Sequence, residues 1–405
     1  MSAAQKLVLL PSLTVFQLPN GRVSITRKFI EGVEEFMRHW QGPMTVLIEA
    51  HAHQGDNLDN VPVRPSDLPF TLKIVNFDHL ADEPELQNAA VVLGCVGCRQ
   101  NHIPRLCNRL GVPCVLTAEY SLSTRYQIVD TYTPNWLWNL RQRFWERRQE
   151  KRQVKALRKA QGVQCNGTPI YESYQHINAN PLLYFDTRVT QPMLATASEL
   201  KQRSSVCLTG RPLRLLFSGR LIPMKGAQDL IQVARHLQDL SVDFQLTICG
   251  EGESSAGMRE AIQAHGLSGQ VHMANVLDFH TELIPKVKHE TDLFVCCHRQ
   301  GDPSCTYLET MSCGVPIVGY DNEAFVGIVK TSGSGWLTPM NQPLALAQKI
   351  ASLSQDRPQI EKAAHQALAF AQKHTFEQTF QRRIEHLRSL IPPRTSHGLN
   401  TAASM

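Results

Sequence analysis

No stretch of the 405 residues approaches the roughly 20 consecutive apolar residues that a helix needs to cross a bilayer. Low-complexity blocks and short-period repeats are also missing, so disorder is not the default reading. Cys95 and Cys98 form the one Cys-x-x-Cys among eleven cysteines. With no second pair, a zinc site is not expected. The cysteines are odd in number and irregularly spaced, and Cys114, Cys249 and Cys296 sit in apolar runs, where cysteine acts as a small hydrophobe. That usage fits a reducing, cytosolic compartment, in which the sequon at Asn166 stays idle.

What is present describes an ordinary globular chain, 42% hydrophobic and 19% charged, long enough for two domains. The opening "MSAAQKLVLLPSLTVFQL" places Lys6 before an apolar run, as a signal peptide does. No small-x-small cleavage site follows, and "PNG" reads as a loop, so a buried first strand is expected. The formal net charge of +5 is uneven: residues 141–159 carry nine basic residues against Glu146 and Glu150, leaving the rest about neutral. A solvated helix face explains such a run. So does an anionic membrane surface, at about 1 kcal/mol per basic residue, and the neighbouring Trp136, Trp138, Phe144 and Trp145 suit an interface. No nucleic-acid recognition motif accompanies the charge.

Strand–helix alternation runs through both halves. "KLVLLP", "MTVLIEA", "TLKIVNF", "AAVVLGC" and "VPCVLTA" are short apolar runs suited to burial on both faces. Ile25, Phe29, Ile30, Val33, Phe36 and Met37 predict a helix opened by "PNG". "QNHIPRLCNRLG" supplies another crossover with Gly111 as its stop. Residues 189–212 are polar and irregular, a linker. The grammar then restarts with "LRLLFSG", "FQLTICG", "VHMAN", "DLFVCC" and "VPIVGY", interleaved with helices. The expected fold is α/β, with two doubly wound Rossmann-like domains facing a central cleft. Their bounds are residues 1–188 and 213–373. A terminal helix at about 374–391 follows, then a disordered tail at 392–405.

Three loops carry chemistry. In "FSGRLIPMKG" a strand ends at Gly219, and Arg220 and Lys225 bracket a strand-to-helix turn, where two cations and free helix amides can flank a diphosphate. The glycine spacing and the absent Ser/Thr after the lysine exclude a Walker loop. In "CGEGES" Gly250 and Gly252 allow a tight turn after a strand. In "GDPSCTYLETMSCG" Ser304 is a good N-cap, and the amides of Cys305, Thr306 and Tyr307 point towards the crevice. Glu309 lies one turn further on the same side. A carboxylate repels phosphate but can accept from ribose hydroxyls, so phosphate falls to the amides and the two cations, and the sugar to Glu309.

"SGRLIPMKG", "CGEGE" and "LETMSCGVPIVGY", in that order, resemble the nucleotide-sugar domain of retaining GT-B glycosyltransferases of the glycogen synthase-like group ("glycosyl transferases group 1"). "QCNGTP" resembles the segment before that family's interdomain linker. The resemblance implies transfer of a sugar from a nucleoside-diphosphate donor to a hydroxyl acceptor with retention, without a metal or other cofactor. Arg220 and Lys225 would neutralise the diphosphate, Glu309 would contact the ribose, and Gly21 would survive from the glycine-rich loop after the first strand. The acceptor would be a glycan, a lipid-linked or a small molecule; the basic segment 141–159 and its tryptophans lean towards a membrane-associated one, as in surface polysaccharide assembly at the cytoplasmic face of a membrane.

Two positions depart from the family. Gly301 stands where the first glutamate of the Glu-x7-Glu motif is expected, with Asp302 beside it as a substitute contact for sugar hydroxyls. Glu119 stands where the family often has a histidine, either to stabilise a developing oxocarbenium or as a strand-end residue facing the cleft. His51 and His53 allow a metal pair, an acceptor-cleft lining or plain strand-end polarity. Asp186 and Arg188 suit a structural pair across the linker. The missing glutamate also keeps open a non-catalytic glycan- or nucleotide-binding scaffold, and the fold itself a sugar-nucleotide epimerase.

Overall fold

A computed structural model describes residues 5–53 and 59–393. Positions 394–405 of the expected tail lie outside the described residues. The first domain is built on a sheet whose strands run, edge to edge, Pro181–Tyr184, Gly162–Asn166, Cys114–Ala118, Val91–Cys95, Leu7–Leu9, Met44–His51, Thr14–Gln17, Val23–Thr26 and Asn60–Val63. All pairings up to Thr14–Gln17 are parallel; the last two strands add antiparallel. Met44–His51 forks, its first half also pairing with Thr71–Ile74. Leu7 and Val8 are fully buried, as a central strand requires. The second domain holds six parallel strands in the order Val271–Ala274, Phe244–Cys249, Leu213–Ser218, Leu293–Cys296, Ile317–Tyr320 and Trp336–Thr338.

The Phe376–Ser389 helix crosses back onto the first domain. Phe376, Phe380, Ile384 and Leu387 enter that domain's core, with Phe380 4.7 Å from Phe36 between ring centroids.

Three expectations need correction. "PNG" does not open a helix: Pro19–Gly21 caps a hairpin between Thr14–Gln17 and Val23–Thr26, and Ile25 is a strand residue. The helix starts at Arg27, capped by the Thr26 hydroxyl, which accepts from the Phe29 amide at 3.3 Å. Gly21 therefore sits exposed at a hairpin tip, outside the loop that follows the first strand. Leu10 to Leu13, the loop after the first strand, faces the cleft without a glycine. Thirdly, residues 189–212 are not an irregular linker throughout. Ala197–Leu208 is a helix with a Thr196/Glu199 capping box. Its buried Arg203 donates to the carbonyls of Lys288, Cys313 and Gly314, tying the helix to the second domain.

Candidate functional site

On the second domain's wall, strand ends crowd so closely that glycine is required. A Cβ on Gly250, at φ +131°, would lie 2.0 Å from the Gly219 carbonyl oxygen. Gly226, at φ +60°, lies against the Cys297 carbonyl in the same way and ends the Pro223–Lys225 turn. The following helix begins at Asp229. This turn sends Lys225 inward, only 7% exposed, with Nζ 2.7 Å from Asp302 Oδ2. Burial pushes the Asp302 carboxyl up, and the Lys225 ammonium overrides it, holding it below the usual carboxylate range. His298 lies beneath, buried and held neutral; burial and then Lys225 push its pKa down to about 3.

Arg220 stays exposed. It lines a cavity of about 460 Å³ with Gly219, Gly250, Arg188 and the segment Val276 to His280. Glu309 is not a free carboxylate. It is 8% exposed, and its Oε1 accepts from Arg188 Nε at 3.1 Å, while the Arg188 guanidinium stacks over Phe279 at 4.0 Å. Arg188, expected to pair with Asp186, thus lines the cavity and holds Glu309 behind it.

The Thr306–Ser312 helix is one residue shorter at its start than expected. Cys305 takes the cap position without a capping bond from its side chain, and the Ser304 amide donates to the Asp302 carbonyl at 2.8 Å. Among the described residues the Cys305 and Thr306 amides have no protein acceptor. The Tyr307 amide does, at 3.3 Å from the Ser304 carbonyl, and its ring is buried near His298 and Asn322. Tyr307 is therefore a core residue and not a phosphate donor.

The first domain's wall holds Glu119 at the end of Cys114–Ala118, on the rim of a second cavity of about 250 Å³. Glu119 is exposed to solvent on the cleft side, with protein crowded round the rest of it. Burial and the Asp186 carboxylate push its pKa up, against weaker opposition from Lys28 and Arg383. Asp186 belongs to Lys28, at 2.5 Å, and not to Arg188; Lys28 Nζ also lies 3.0 Å from Cys305 Sγ across the cleft. Burial works against the Lys28 charge and the Asp186 carboxylate overrides it, so the ammonium stays protonated. Tyr120 feels both walls: burial, Glu119 and Asp302 push its hydroxyl up to about 12, against Arg220 and Lys28. Asn166 is buried, its side chain accepting from the Asp186 amide at 3.0 Å.

His51 and His53 line a third cavity of about 290 Å³ with Ser12, Leu13 and Thr26. The His51 Nδ1 is engaged by the His53 amide at 3.1 Å, which favours the lining reading over a metal pair. The three cavities run in series, sharing Lys28 and then Ser12, Leu13 and Thr26. At Gly301 a side chain would be crowded: a Cβ would lie 3.1 Å from Glu323 Cβ and 3.3 Å from Thr124 Oγ1, so these side chains would have to give way slightly. The helix Leu122–Tyr132 fills that space, and Asp302 serves Lys225 instead.

The structure thus brings Arg220, Lys225, Asp302, Glu309, Gly219, Gly250 and Glu119 to one cleft, with Ser304, Cys305 and Thr306 at its edge. It leaves out Gly21 and buries Tyr307. Lys28 gave no sequence signal.

The family described as "Glycosyl transferases group 1" matches residues 200–370. WcaL of Escherichia coli (strain K12), named as a colanic acid biosynthesis glycosyltransferase, is 29% identical over 150 residues, 36% of each chain. The amylovoran biosynthesis glycosyltransferase AmsK of Erwinia amylovora is 29% identical over 151 residues, 36% of this chain and 37% of its own. The match spans little more than a third of either relative. Over the whole chain the fold superposes on Anabaena Alr3699/HepE in complex with UDP, with a TM-score of 0.63 at 15% identity, covering 95% of this chain and 99% of that one. WaaG, a glycosyltransferase involved in lipopolysaccharide biosynthesis, superposes with a TM-score of 0.59 at 11% identity, covering 94% and 99%. Two parallel-sheet domains around this cleft give the chain the GT-B fold, and its second domain carries the stretch, residues 200–370, that is similar to the glycosyl transferases group 1 family.

Proposed function

We propose that the chain transfers a sugar from a nucleoside-diphosphate donor to a hydroxyl of a glycan, lipid-linked or small-molecule acceptor in surface polysaccharide biosynthesis, with retention of anomeric configuration. The observation that carries this is the 460 Å³ cavity. Arg220, Gly219 and Gly250 line it, and so does Arg188, which pairs with Glu309. Lys225 stands next to Arg220 in the chain's turn, already aimed by Asp302. The UDP complex of HepE and the polysaccharide names of WcaL and AmsK support the same reading.

The chemical task is to hold negative charge as the nucleoside diphosphate departs. Arg220 and Lys225 supply two fixed positive charges for it, doing the work that a metal ion would otherwise do. Glu309 accepts from ribose hydroxyls while Arg188 keeps it in place. Glu119, across the cleft, lies where a carboxylate can stabilise an oxocarbenium and meet the acceptor hydroxyl. The cavities at Glu119 and at His51 then receive the acceptor. The enzyme acts at the cytoplasmic face of an anionic membrane, which residues 141–159 contact.

The test is release of the nucleoside diphosphate from a panel of nucleotide sugars, chosen by the donors that raise thermal stability. Turnover that is lost in Lys225→Ala, survives chelation and yields a product of unchanged anomeric configuration is the expected result. No turnover with any donor, or an epimerised nucleotide sugar without acceptor, overturns the reading.

A further inference from the structure

The Trp136–Leu157 helix displays an unusual amount of apolar surface to solvent. Trp136 is 72% and Phe144 63% exposed, and Leu137, Trp138, Leu140 and Trp145 stand out beside them. Residues three and four apart share a face. One strip runs Trp136, Leu140, Phe144, Arg147, Lys151; its neighbour runs Leu137, Arg141, Trp145, Arg148, Arg152. Both strips start apolar and end basic, over a helix about 33 Å long. Water alone gives no reason for the tryptophans, and a polyanion gives none either. The acyl–headgroup boundary of an anionic bilayer accounts for both halves at once.

This helix is braced. In the preceding Leu122–Tyr132 helix, Arg125 pairs with Glu146 at 2.8 Å and with Glu150. Arg143 stacks over Tyr126 at 4.5 Å and reaches Asp130. The brace then crosses the cleft. Gln127 Oε1 accepts from the Gly301 amide at 2.9 Å, the Thr124 hydroxyl donates to the Gly301 carbonyl at 3.3 Å, and the Ser123 hydroxyl donates to Glu323 at 2.6 Å. The next residue in the chain is Asp302, which holds Lys225.

Resting on the donor-site reading above, we propose that these two helices form an arm that docks on an anionic lipid surface and, through Gly301, couples docking to nucleotide binding beside Arg220 and Lys225. Docking orders the arm. The ordered arm keeps the Gly301–Asp302 segment against it, and that segment fixes the Lys225 ammonium where a diphosphate meets it. Linkage makes the effect reciprocal: the factor by which lipid tightens nucleotide binding equals the factor by which nucleotide tightens lipid binding. A few cross-cleft hydrogen bonds carry a coupling of about five- to tenfold.

The experiment uses the full chain, UDP as the nucleotide probe, and vesicles of phosphatidylcholine with or without phosphatidylglycerol. Phosphatidylglycerol vesicles are expected to lower the Kd for UDP about fivefold, and saturating UDP to strengthen vesicle binding by the same factor. Gln127→Leu should bind UDP in solution and bind vesicles as the parent does, but lose the mutual enhancement. Changing Arg147, Arg148, Lys151 and Arg152 together to Gln should abolish vesicle binding and leave UDP affinity in solution intact. Vesicle binding that leaves UDP affinity unchanged overturns the coupling, as does full enhancement in Gln127→Leu. Binding indifferent to phosphatidylglycerol, or no vesicle binding, overturns the lipid as occupant. Failure to bind UDP under any condition overturns the donor-site reading itself, and with it the coupling.

Discussion

The two walls of the cleft handle their carboxylates differently. On the second domain Asp302 and Glu309 each face a cation: Asp302 meets Lys225 and Glu309 meets Arg188. On the first domain Asp186 is likewise matched, by Lys28, but Glu119 beside it has no ion-pair partner among the described residues, and its pKa is pushed up where that of Asp302 is held down. A matched carboxylate positions something else; an unmatched one keeps its free energy for a charge that arrives. The donor wall is therefore a set of aimed cations, and the acceptor wall offers an anion in waiting.

The contrast can be broken most severely at Lys225. Lys225→Ala should lower kcat/KM about a thousandfold. It also leaves Asp302 buried without its partner, costing about 3–5 kcal/mol of stability by denaturant titration. Adding Asp302→Asn should restore most of the stability and none of the rate. Recovery of the rate would make the pair merely structural.

Glu119→Gln should lower kcat about a hundredfold while KM for the donor holds. Because the folded state raises this pKa, stability falls as pH rises from the ordinary carboxylate range through the raised value. Glu119→Gln should therefore melt higher than the parent at pH 8 and show less difference below pH 4. A variant that loses both activity and stability would put Glu119 among the matched carboxylates. Arg188→Met keeps contact with Phe279 but removes the charge that holds Glu309, and should weaken UDP binding about tenfold. The smallest effect belongs to His298, pushed from 6.5 to about 3. The unfolded chain binds its proton first, so stability is lost as pH falls from 6.5 towards 3, and His298→Leu should flatten that part of the stability–pH curve.

The second domain was readable because its chemistry is local. Arg220, Lys225 and Glu309 lie in short motifs between strands whose apolar runs are unambiguous. What those side chains touch was not local: Lys225 and Asp302 are 77 residues apart, and Arg188 and Glu309 121, so only the folded sheet order joins them. In the first domain the periodicity misled. Ile25 falls in step with Phe29 and Val33, so a strand residue passed for the first turn of a helix, and Gly21 was drawn towards the donor with it. The helix within 189–212 did announce itself, in the Thr196-x-x-Glu199 box, but polar composition concealed it. Gly301 was read as a missing side chain; its real content is the close approach of a helix from the other domain.

The return of Phe376–Ser389 to the first domain has a consequence for synthesis. Phe376, Phe380, Ile384 and Leu387 complete a core whose other buried members lie before residue 116, each contributing about 1.5–3 kcal/mol on burial. At about 5–20 residues per second, the intervening chain takes about ten to fifty seconds to emerge from a ribosome. For that interval the first domain is a nascent fold with an open seam beside Phe36. The second domain is contiguous in sequence and can close first, an inversion of the usual N-to-C order of maturation.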